Sequence, residues 1–267
     1  SRPARALLVG LAALALGLLG PATSAAAPPT KRPGVLTVGL SMPVPNFQLF
    51  NSARDFIDPA LRFPLISKLN SIHGSVEITR DAVSEYEKHL RKRLKYLIRT
   101  YKQPVLVEEF ISGREITAIV LQEKKKKVYL AEKLFAHPEE KYVFLTFEDQ
   151  WLTGPNTAFH YTRYNDALLK EYAKRAFSVT KMADYGKFDV RLDQSGRYFF
   201  IDSNCNPALG PKELDVAISV ILDLYDIQFE VLLRRLVSYA SRGPARKKAR
   251  KLPPEYRVVM ESLPEGE

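Results

Sequence analysis

Two carboxylates and one amide oxygen stand close together in the C-terminal half of the sequence, in stretches that otherwise look like buried strands. Asp189 lies in "GKFDVRLD", and Asp202 and Asn204 end "RYFFIDSN". The two stretches predict a hairpin that turns at "QSG". In such a hairpin Asp189 comes close to Asp202, with Asn204 two residues further along the same face. These are the oxygen ligands that Mg²⁺ takes, with water and phosphate oxygens completing its octahedron.

The same alternation assigns other side chains of the hairpin to faces. Lys187 and Arg191 share the face of Asp189, and Phe200 is expected on the face of Asp202. Two carboxylates without a counter-ion would repel each other and shift each other's pKa, which a divalent ion would prevent. In the alternative interpretation, the polar residues after the second strand are ordinary turn formers.

The elements that would position this hairpin mix strands and helices without the regular alternation of a parallel-sheet protein, so we predict an α+β fold. The amphipathic pattern after Asp81 predicts a long helix with Asp81 as its N-cap and Glu85 near its positive end. A second helix, in residues 165–182, is predicted to begin at Asn165. The other predicted elements are strands at residues 63–69, 75–80, 105–111, 114–122, 128–136 and 142–151, with "SG" turning between the third and fourth, and closing helices at 212–226 and 229–242.

Composition limits the classes of protein and of partner. The 267 residues are 46% hydrophobic and 26% charged, which is typical of a globular protein with one large domain or two smaller ones. The single cysteine excludes an internal disulfide, and no Cys or His spacing indicates zinc. The net charge of +10 favours an anionic ligand. Aromatic residues are not interleaved with the basic runs, so a nucleic-acid partner is not expected.

The two ends of the sequence differ in composition from the part between them. Residues 1–30 are apolar and rich in Ala and Leu, which fits either a signal peptide or the remnant of an upstream domain. The apolar run is too short and too rich in Gly for a membrane span, so no span is expected. Residues 243–267 are basic and rich in Pro, and they predict a flexible tail.

Four ordered stretches resemble the motifs of one known family. They are "FPLISKL…HGSVEIT", "PVLVEEFISGREITAIVL", "YGKFDVRLDQSGRYFFIDSNCNPALGP" and, more weakly, "TKRPGVLTVGLSMPVPNF". With these motifs in the right order and spacing, the chain resembles an ATP-grasp protein of the D-alanine–D-alanine ligase group. The resemblance implies an ATP-grasp fold, with a small subdomain at residues 31–112 and a large one at 113–242 that grip ATP between them. It also favours the upstream-domain interpretation of residues 1–30.

The resemblance assigns roles to single residues. The phosphates of ATP would meet one lysine and a loop that folds over them, the adenine would lie along one stretch, and the ribose would bind a glutamate. A second lysine would stabilise the reacting centre, and the hairpin oxygens would hold Mg²⁺ or Mn²⁺. The lysine at the phosphates would be Lys68, and the loop over them would be His73, Gly74 and Ser75. The adenine stretch would be Glu108, Glu109, Phe110 and Ile111, and the glutamate at the ribose would be Glu115. The lysine at the reacting centre would be Lys187, and the ligands of the metal would be Asp189, Asp202 and Asn204.

The function implied is an ATP- and Mg²⁺-dependent ligase that phosphorylates a carboxylate and joins it to an amine through the acyl phosphate. Its partners would be ATP and small carboxylate and amine substrates, in the cytoplasm, with a homodimer left open; a secreted protein is the alternative if residues 1–30 are a signal. Gln150 stands where the family has a lysine, Glu77 where glycine is common, and "LGPKELD" replaces the loop that recognises D-alanine. The alternative function is therefore a truncated or non-catalytic ATP-binding module of the same fold, and D-alanine is not the expected substrate.

Overall fold

A four-stranded antiparallel sheet forms the first part of the fold. The computed structural model describes residues 45–123, 125–153 and 157–241. Strand order in this sheet is β1-β4-β2-β3. The strands are β1 (Phe47–Phe50), β2 (Leu65–Leu69), β3 (Val83–Ser84) and β4 (Val105–Glu109). Helix α1 (Glu87–Tyr101) packs on it because Leu90, Leu94 and Leu97 recur on one helix face and are fully buried beside Val105 and Val107.

A five-stranded antiparallel sheet follows, in the order β7-β6-β5-β8-β9. Its strands are β5 (Arg114–Leu121), β6 (Lys127–Phe135), β7 (Phe159–Tyr164), β8 (Tyr185–Leu192) and β9 (Tyr198–Asn204). One face carries Ile116, Phe188 and Phe200, which form a core with Leu169 and Phe177 of helix α3 (Ala167–Val179). The opposite face carries the charged side chains of the hairpin, so the sheet separates the core from the candidate site.

The remaining elements are short. They are helices α2 (Phe147–Trp151) and α4 (Ala217–Asp223) and the 3₁₀ helices Arg80–Ala82 and Lys212–Leu214. One compact unit of the chain ends at Phe229, and the unit from Glu230 onward contains nearly all of helix α5 (Phe229–Ala240), whose sequence is amphipathic. Among the described residues, no helix combines the length and the apolar character that a membrane crossing needs.

The mixed helices and antiparallel sheets confirm the α+β prediction. The chain passes from the first sheet to the second between Glu109 and Arg114. The predicted subdomain boundary at residues 112 and 113 falls in this connection and stays a prediction. The predictions for residues 1–30 and 243–267 lie outside the described residues.

The amphipathic pattern predicted that helix α1 begins after Asp81, but the helix begins at Glu87. Asp81 lies in a 3₁₀ helix, and Val83 and Ser84 form β3, paired with β2. This pairing satisfies backbone groups and buries Val83, so a tertiary contact overrides the local helical pattern. The N-cap is Tyr86, which makes no side-chain capping bond.

Three further local predictions are wrong. "SVEITR" forms turns and not a strand, because Ser75 and Glu77 take left-handed backbone conformations with φ of 58° and 63°. "YVFLTFEDQW" contains helix α2, which Thr146 and Asp149 begin with a capping box. "SG" does not close a hairpin, because β4 and β5 belong to different sheets.

Two helix boundaries and one strand also differ from the predictions. Helix α3 is capped by Asp166, whose Oδ1 accepts a hydrogen bond from the backbone N–H of Leu169 at 2.6 Å, and not by Asn165. The single helix predicted at residues 212–226 is interrupted at Asp215, where φ is 53°. Strand β7 has no counterpart among the predicted elements. It pairs with β6 and completes the second sheet.

Candidate functional site

A cavity of 1230 Å³ lies within the compact unit that ends at Phe229 and is lined by both sheets. Its wall also includes the loop that follows β2 and the segment that follows β9. All thirteen residues predicted for the site line this cavity: Lys68, His73, Gly74, Ser75, Glu108, Glu109, Phe110, Ile111, Glu115, Lys187, Asp189, Asp202 and Asn204. The structure brings the whole predicted set together, and the role of each residue stays a prediction.

The hairpin of β8 and β9 has the predicted register. Asp189 is paired directly with Asp202, and Lys187 with Asn204. Next to this pair the ladder contains a β-bulge, because Val190 pairs with Phe200 and leaves Ile201 as an extra residue of β9. The bulge lies at the point where the strand changes from core residues to oxygen-bearing side chains.

The bulge corrects one prediction about faces. Phe200 was expected on the face of Asp202, but it lies in the core, where its ring meets that of Phe188 edge-on at 5.6 Å between centroids. Asp202 lines the cavity on the other side of the sheet. One extra residue in the strand reverses the alternation of side chains beyond it, which a strict period of two cannot anticipate.

The two hairpin carboxylates differ in their surroundings. Asp189 is buried in a network: the Thr117 hydroxyl donates to its Oδ1 at 2.8 Å, and the Lys187 ammonium forms an ion pair with its Oδ2. Burial alone would raise the pKa of Asp189, but the ammonium groups of Lys187 and Lys133 hold it at about 2. Asp202 is exposed to the cavity and forms no hydrogen bond or ion pair with the other described residues. It is therefore the uncommitted carboxylate of the pair.

Lys68 connects the two sheets across the cavity. Its ammonium forms an ion pair with Glu108 of β4 and donates a hydrogen bond to the carbonyl oxygen of Ile201 at 3.3 Å. Burial lowers the pKa of Lys68, but the carboxylates of Glu108 and Asp202 raise it above its ordinary value. The pKa of Lys187 is raised in the same way, since the attraction of Asp189 and Asp202 exceeds the effect of burial. Both lysines therefore stay cationic at neutral pH.

Glu115 lies in a buried ion-pair group that spans three strands. Arg191 Nη2 is 2.7 Å from Glu115 Oε2, and Lys133 Nζ donates to Oε1. Burial raises the pKa of Glu115, but Lys133 and Arg191 lower it below its ordinary value. No site role was predicted from the sequence for Lys133 or Arg191. The local sequence could have indicated Arg191, because it lies two residues after Asp189 on the same strand. Lys133 meets Glu115 only through the register of β5 with β6, so the local sequence does not indicate it.

The stretch proposed for adenine presents one free acceptor to the cavity. Glu108 is 1% exposed, and its Oε1 is buried without a hydrogen-bond partner. The side chain of Glu109 is engaged elsewhere, since it accepts from Asn46 Nδ2 at 3.0 Å and from the backbone N–H of Arg62 at 2.8 Å. The ring of Phe110 is covered by the guanidinium of Arg191, 5.5 Å from its centroid. A ligand in this part of the cavity would meet an acceptor beside an apolar surface.

The loop after β2 is fixed from the side of helix α2. The indole Nε1 of Trp151 donates to the carbonyl oxygen of Gly74 at 2.8 Å, and the Ser75 hydroxyl donates to Gln150 Oε1 at 2.6 Å. Gln150 and Trp151 also line the cavity. From the sequence, a strand was predicted here; Gln150 was noted only as standing where the family has a lysine, and Trp151 was given no role in the site. The Thr-x-x-Asp capping pattern before them was the signal that could have indicated the helix.

The cavity has more carboxylates than cations. Among the described residues that line it, eight are Asp or Glu and four are Lys or Arg. Each of the four cations, Lys68, Lys133, Lys187 and Arg191, forms an ion pair with a carboxylate. In the described part of the chain, no group of three or more His, Cys, Asp and Glu side chains is placed to hold a metal ion. At the hairpin the two carboxylates are accompanied by the amide side chain of Asn204. An anionic ligand would enter this cavity more readily with its own cation.

Comparison with known proteins identifies the family. A family model described as "D-ala D-ala ligase C-terminus" matches residues 36–237. An uncharacterized protein of Sinorhizobium fredii, y4sG, is 31% identical over 172 residues, which are 63% of this chain and 50% of that protein. D-alanine–D-alanine ligase B of Chromobacterium violaceum is 23% identical over 185 residues, which are 68% of this chain and 58% of that enzyme. The chain thus spans little more than half the length of these relatives.

Solved structures agree on the fold. The crystal structure of D-alanine–D-alanine ligase from Bacillus anthracis, complexed with ATP, has a TM-score of 0.58 and 15% sequence identity, over 77% of this chain and 63% of that one. At this identity the similarity concerns the fold alone, and the predicted ATP-grasp fold is confirmed. With three quarters of its length matched by the family model, this chain belongs to the D-alanine–D-alanine ligase C-terminal family of ATP-grasp proteins.

Proposed function

We propose that the protein is an ATP- and Mg²⁺-dependent carboxylate–amine ligase that acts through an acyl phosphate. One observation carries the proposal: the paired Asp189 and Asp202 share a cavity with Lys68, Lys187 and the loop of residues 73–75. Carboxylates for a metal and cations for phosphates are the parts that phosphoryl transfer requires. An enzyme that consumes ATP would act in the cytoplasm, and its partners would be ATP, a carboxylic acid and an amine.

Adenine would lie along residues 108–111. The buried, unpartnered Oε1 of Glu108 would accept a hydrogen bond from the exocyclic amino group, which adenine has and guanine presents at a different position. Glu115 already accepts from Lys133 and Arg191, and its remaining lone pairs would accept the ribose hydroxyls. This arrangement favours ATP over GTP.

The hairpin oxygens fit a divalent ion. Asp202 would be the principal ligand because it has no partner among the described residues, and Asp189 and Asn204 would complete the set. Mg²⁺ or Mn²⁺ bound there would neutralise the charge of the phosphates. The excess of carboxylates in the cavity supports the requirement for a cation. Asn204 is the neutral member, and its Oδ1 already accepts from the backbone N–H of Asn206 at 2.9 Å.

The lysines would act on charge and not as proton acceptors. Their raised pKa values keep Lys68 and Lys187 protonated at neutral pH. Lys68 has further N–H donors beside its pair with Glu108, and with these it would bind the phosphates. Lys187, from its place beside Asp189, would stabilise the negative charge that develops on the oxygens of the reacting carboxylate and phosphate. A lysine supplies this charge at one point, without the two parallel bonds of an arginine.

A second function has one observation in its favour. Gln150, a neutral side chain, binds the loop through Ser75 where the family carries a lysine. One cation fewer near the phosphates favours a module that binds ATP without transferring phosphate. The two functions separate in solution: a ligase releases ADP in the presence of some acid and amine, whereas the module binds ATP and releases none.

The first experiment is isothermal titration calorimetry with ATP, with and without Mg²⁺. We expect Mg²⁺-dependent binding that Asp202→Asn weakens by at least about tenfold, because a lost charged contact costs about 1.5–3 kcal/mol. Asp226→Asn is the matched control, since the Asp226 side chain is 89% exposed and does not line the cavity. GTP should bind more weakly than ATP. Equal binding by Asp202→Asn and the parent chain would contradict the proposed site.

A further inference from the structure

The loop after β2 has a residue whose side chain leaves the cavity. His73, Gly74, Ser75, Val76 and Ile78 line the cavity, but Glu77 does not. Its backbone has φ of 63°, a left-handed conformation that favours glycine and that a glutamate adopts at a cost. A side chain kept at such a position needs compensating contacts.

Helix α1 supplies these contacts to Glu77. The hydroxyls of Tyr96 and Tyr101 both donate to Glu77 Oε1, at 2.8 and 2.7 Å. Arg93 Nη1 is 3.3 Å from Oε2, and Arg93 Nη2 donates to the backbone carbonyl of Glu77. The side chains of Arg93 and Glu77 are only 8% and 16% exposed, so water screens this pair weakly. We call Glu77, Arg93, Tyr96 and Tyr101 the Glu77 clamp.

The same loop is held from its other side by helix α2, through the Trp151 and Gln150 contacts to Gly74 and Ser75. The loop is thus fixed between two helices, α1 through a carboxylate and α2 through a backbone carbonyl and a hydroxyl. The sequence places Glu77, with its negative charge, where glycine is common in the family that the chain resembles. In the structure that charge is neutralised by Arg93 and turned toward α1.

We propose that Glu77 is a positioning residue, which anchors the loop of residues 73–75 to helix α1 so that its backbone and Ser75 meet the β- and γ-phosphates of ATP. This inference rests on the proposed function, because it requires ATP in the cavity. It assigns Glu77 no contact with ATP. The Glu77 clamp acts on binding of the β- and γ-phosphates, which ATP has and AMP lacks.

The test compares ATP with AMP binding in Glu77→Gly, with Mg²⁺ present. Glycine suits the left-handed backbone, so the substitution removes the carboxylate without adding strain. We expect the affinity for ATP to fall about tenfold, as for the loss of a charged hydrogen bond, and the affinity for AMP to stay within about twofold. Glu77→Gln, which keeps an acceptor for both tyrosines, should recover part of the loss.

A second readout does not require nucleotide. Trp151 is the single tryptophan of the chain, and it touches the loop at Gly74. In Glu77→Gly its fluorescence should shift to longer wavelength and be quenched more readily by acrylamide, because the loop it packs on is released. Glu87→Gln is the matched control: this glutamate pairs with Arg91 on the same helix and does not contact the loop.

The outcomes separate the inference from the proposed function. If the parent chain binds no ATP, both fall. If the parent chain binds ATP and Glu77→Gly has the same ratio of ATP to AMP affinity, the inference alone is overturned. Should Glu77→Gly fail to fold, the double variant Tyr96→Phe/Tyr101→Phe removes the two hydroxyl donors and keeps the rings. It should weaken ATP binding selectively, and an unchanged ratio there would equally overturn the clamp.

Discussion

The ammonium of Lys68 and the carbonyl oxygen of Ile201 are 3.3 Å apart, although they belong to different sheets and are separated by 133 residues of sequence. The carbonyl is that of the extra residue at the β-bulge, and the lysine is held from behind by Glu108. One contact therefore ties the small four-stranded sheet to the hairpin that carries the candidate metal ligands.

Substitution of Lys68 should affect stability and binding separately. In Lys68→Met, Glu108 stays buried without its counter-ion, and breaking a buried pair in this way costs about 3–5 kcal/mol of unfolding free energy. The double variant Lys68→Met/Glu108→Gln should recover most of that loss in urea denaturation. It should not recover ATP binding, because the cation for the phosphates is still absent. Recovery of both would mean that Lys68 has only a structural role.

The buried group around Glu115 predicts a second loss of stability. Lys133→Met removes one of the two cations that neutralise Glu115, and we expect a loss of about 3 kcal/mol. Lys127→Met is the control, since Lys127 lies on the same strand with its side chain 50% exposed and pairs only at the surface. Equal unfolding free energies for the two variants, measured in urea, would contradict the importance of the buried group.

The N-cap of helix α3 can be tested with neighbouring residues. Asp166→Ala should lower the unfolding free energy by about 1 kcal/mol, because the backbone N–H of Leu169 loses its acceptor. Asn165→Ala should have little effect, since Asn165 Oδ1 accepts only from the exposed Lys170 ammonium at 2.6 Å. A larger loss of unfolding free energy in Asn165→Ala than in Asp166→Ala would identify Asn165 as the N-cap, as the sequence indicated.

Alkaline pH should weaken the contact between Glu77 and Tyr101. The hydrogen bond to Glu77 raises the pKa of Tyr101 to about 12, whereas tyrosine in an unfolded chain titrates near 10. The folded protein thus binds this proton more tightly, and the stability it contributes is complete below pH of about 10 and lost as pH rises toward about 12. The difference in urea midpoint between the parent chain and Tyr101→Phe should therefore shrink across this interval. The exposed Tyr86→Phe is the control.

The sequence predicted the register of the hairpin because the information for it is local. A short turn and two alternating strands determine that Asp189 meets Asp202, and the structure has that register. Lys133 could not be found in this way, because its contact with Glu115 depends on the register of a different strand pair. Contacts that join distant segments follow from the whole sheet and leave little trace in any one stretch.

The loop after β2 was misread for a different reason. A strand was predicted at residues 75–80, and left-handed backbone is normally inferred from glycine, whereas Ser75 and Glu77 adopt it without that signal. The contacts that stabilise the left-handed backbone at Glu77 come from α1, so the sequence of the loop alone does not indicate this conformation. For helix α2, a strand was predicted although Thr146 and Asp149 form a capping box.

The β-bulge at Ile201 has a consequence for how this strand can change in evolution. Upstream of it, Phe200 belongs to the core, and downstream of it, Asp202 belongs to the cavity. Deletion of Ile201 would give a regular strand in which both residues keep their faces, whereas an insertion or deletion elsewhere in β9 would turn one group of side chains to the wrong side. Length variation in this strand is therefore tolerable at a single position. Alignments with relatives should concentrate their gaps there and keep the positions of the candidate metal ligands aligned.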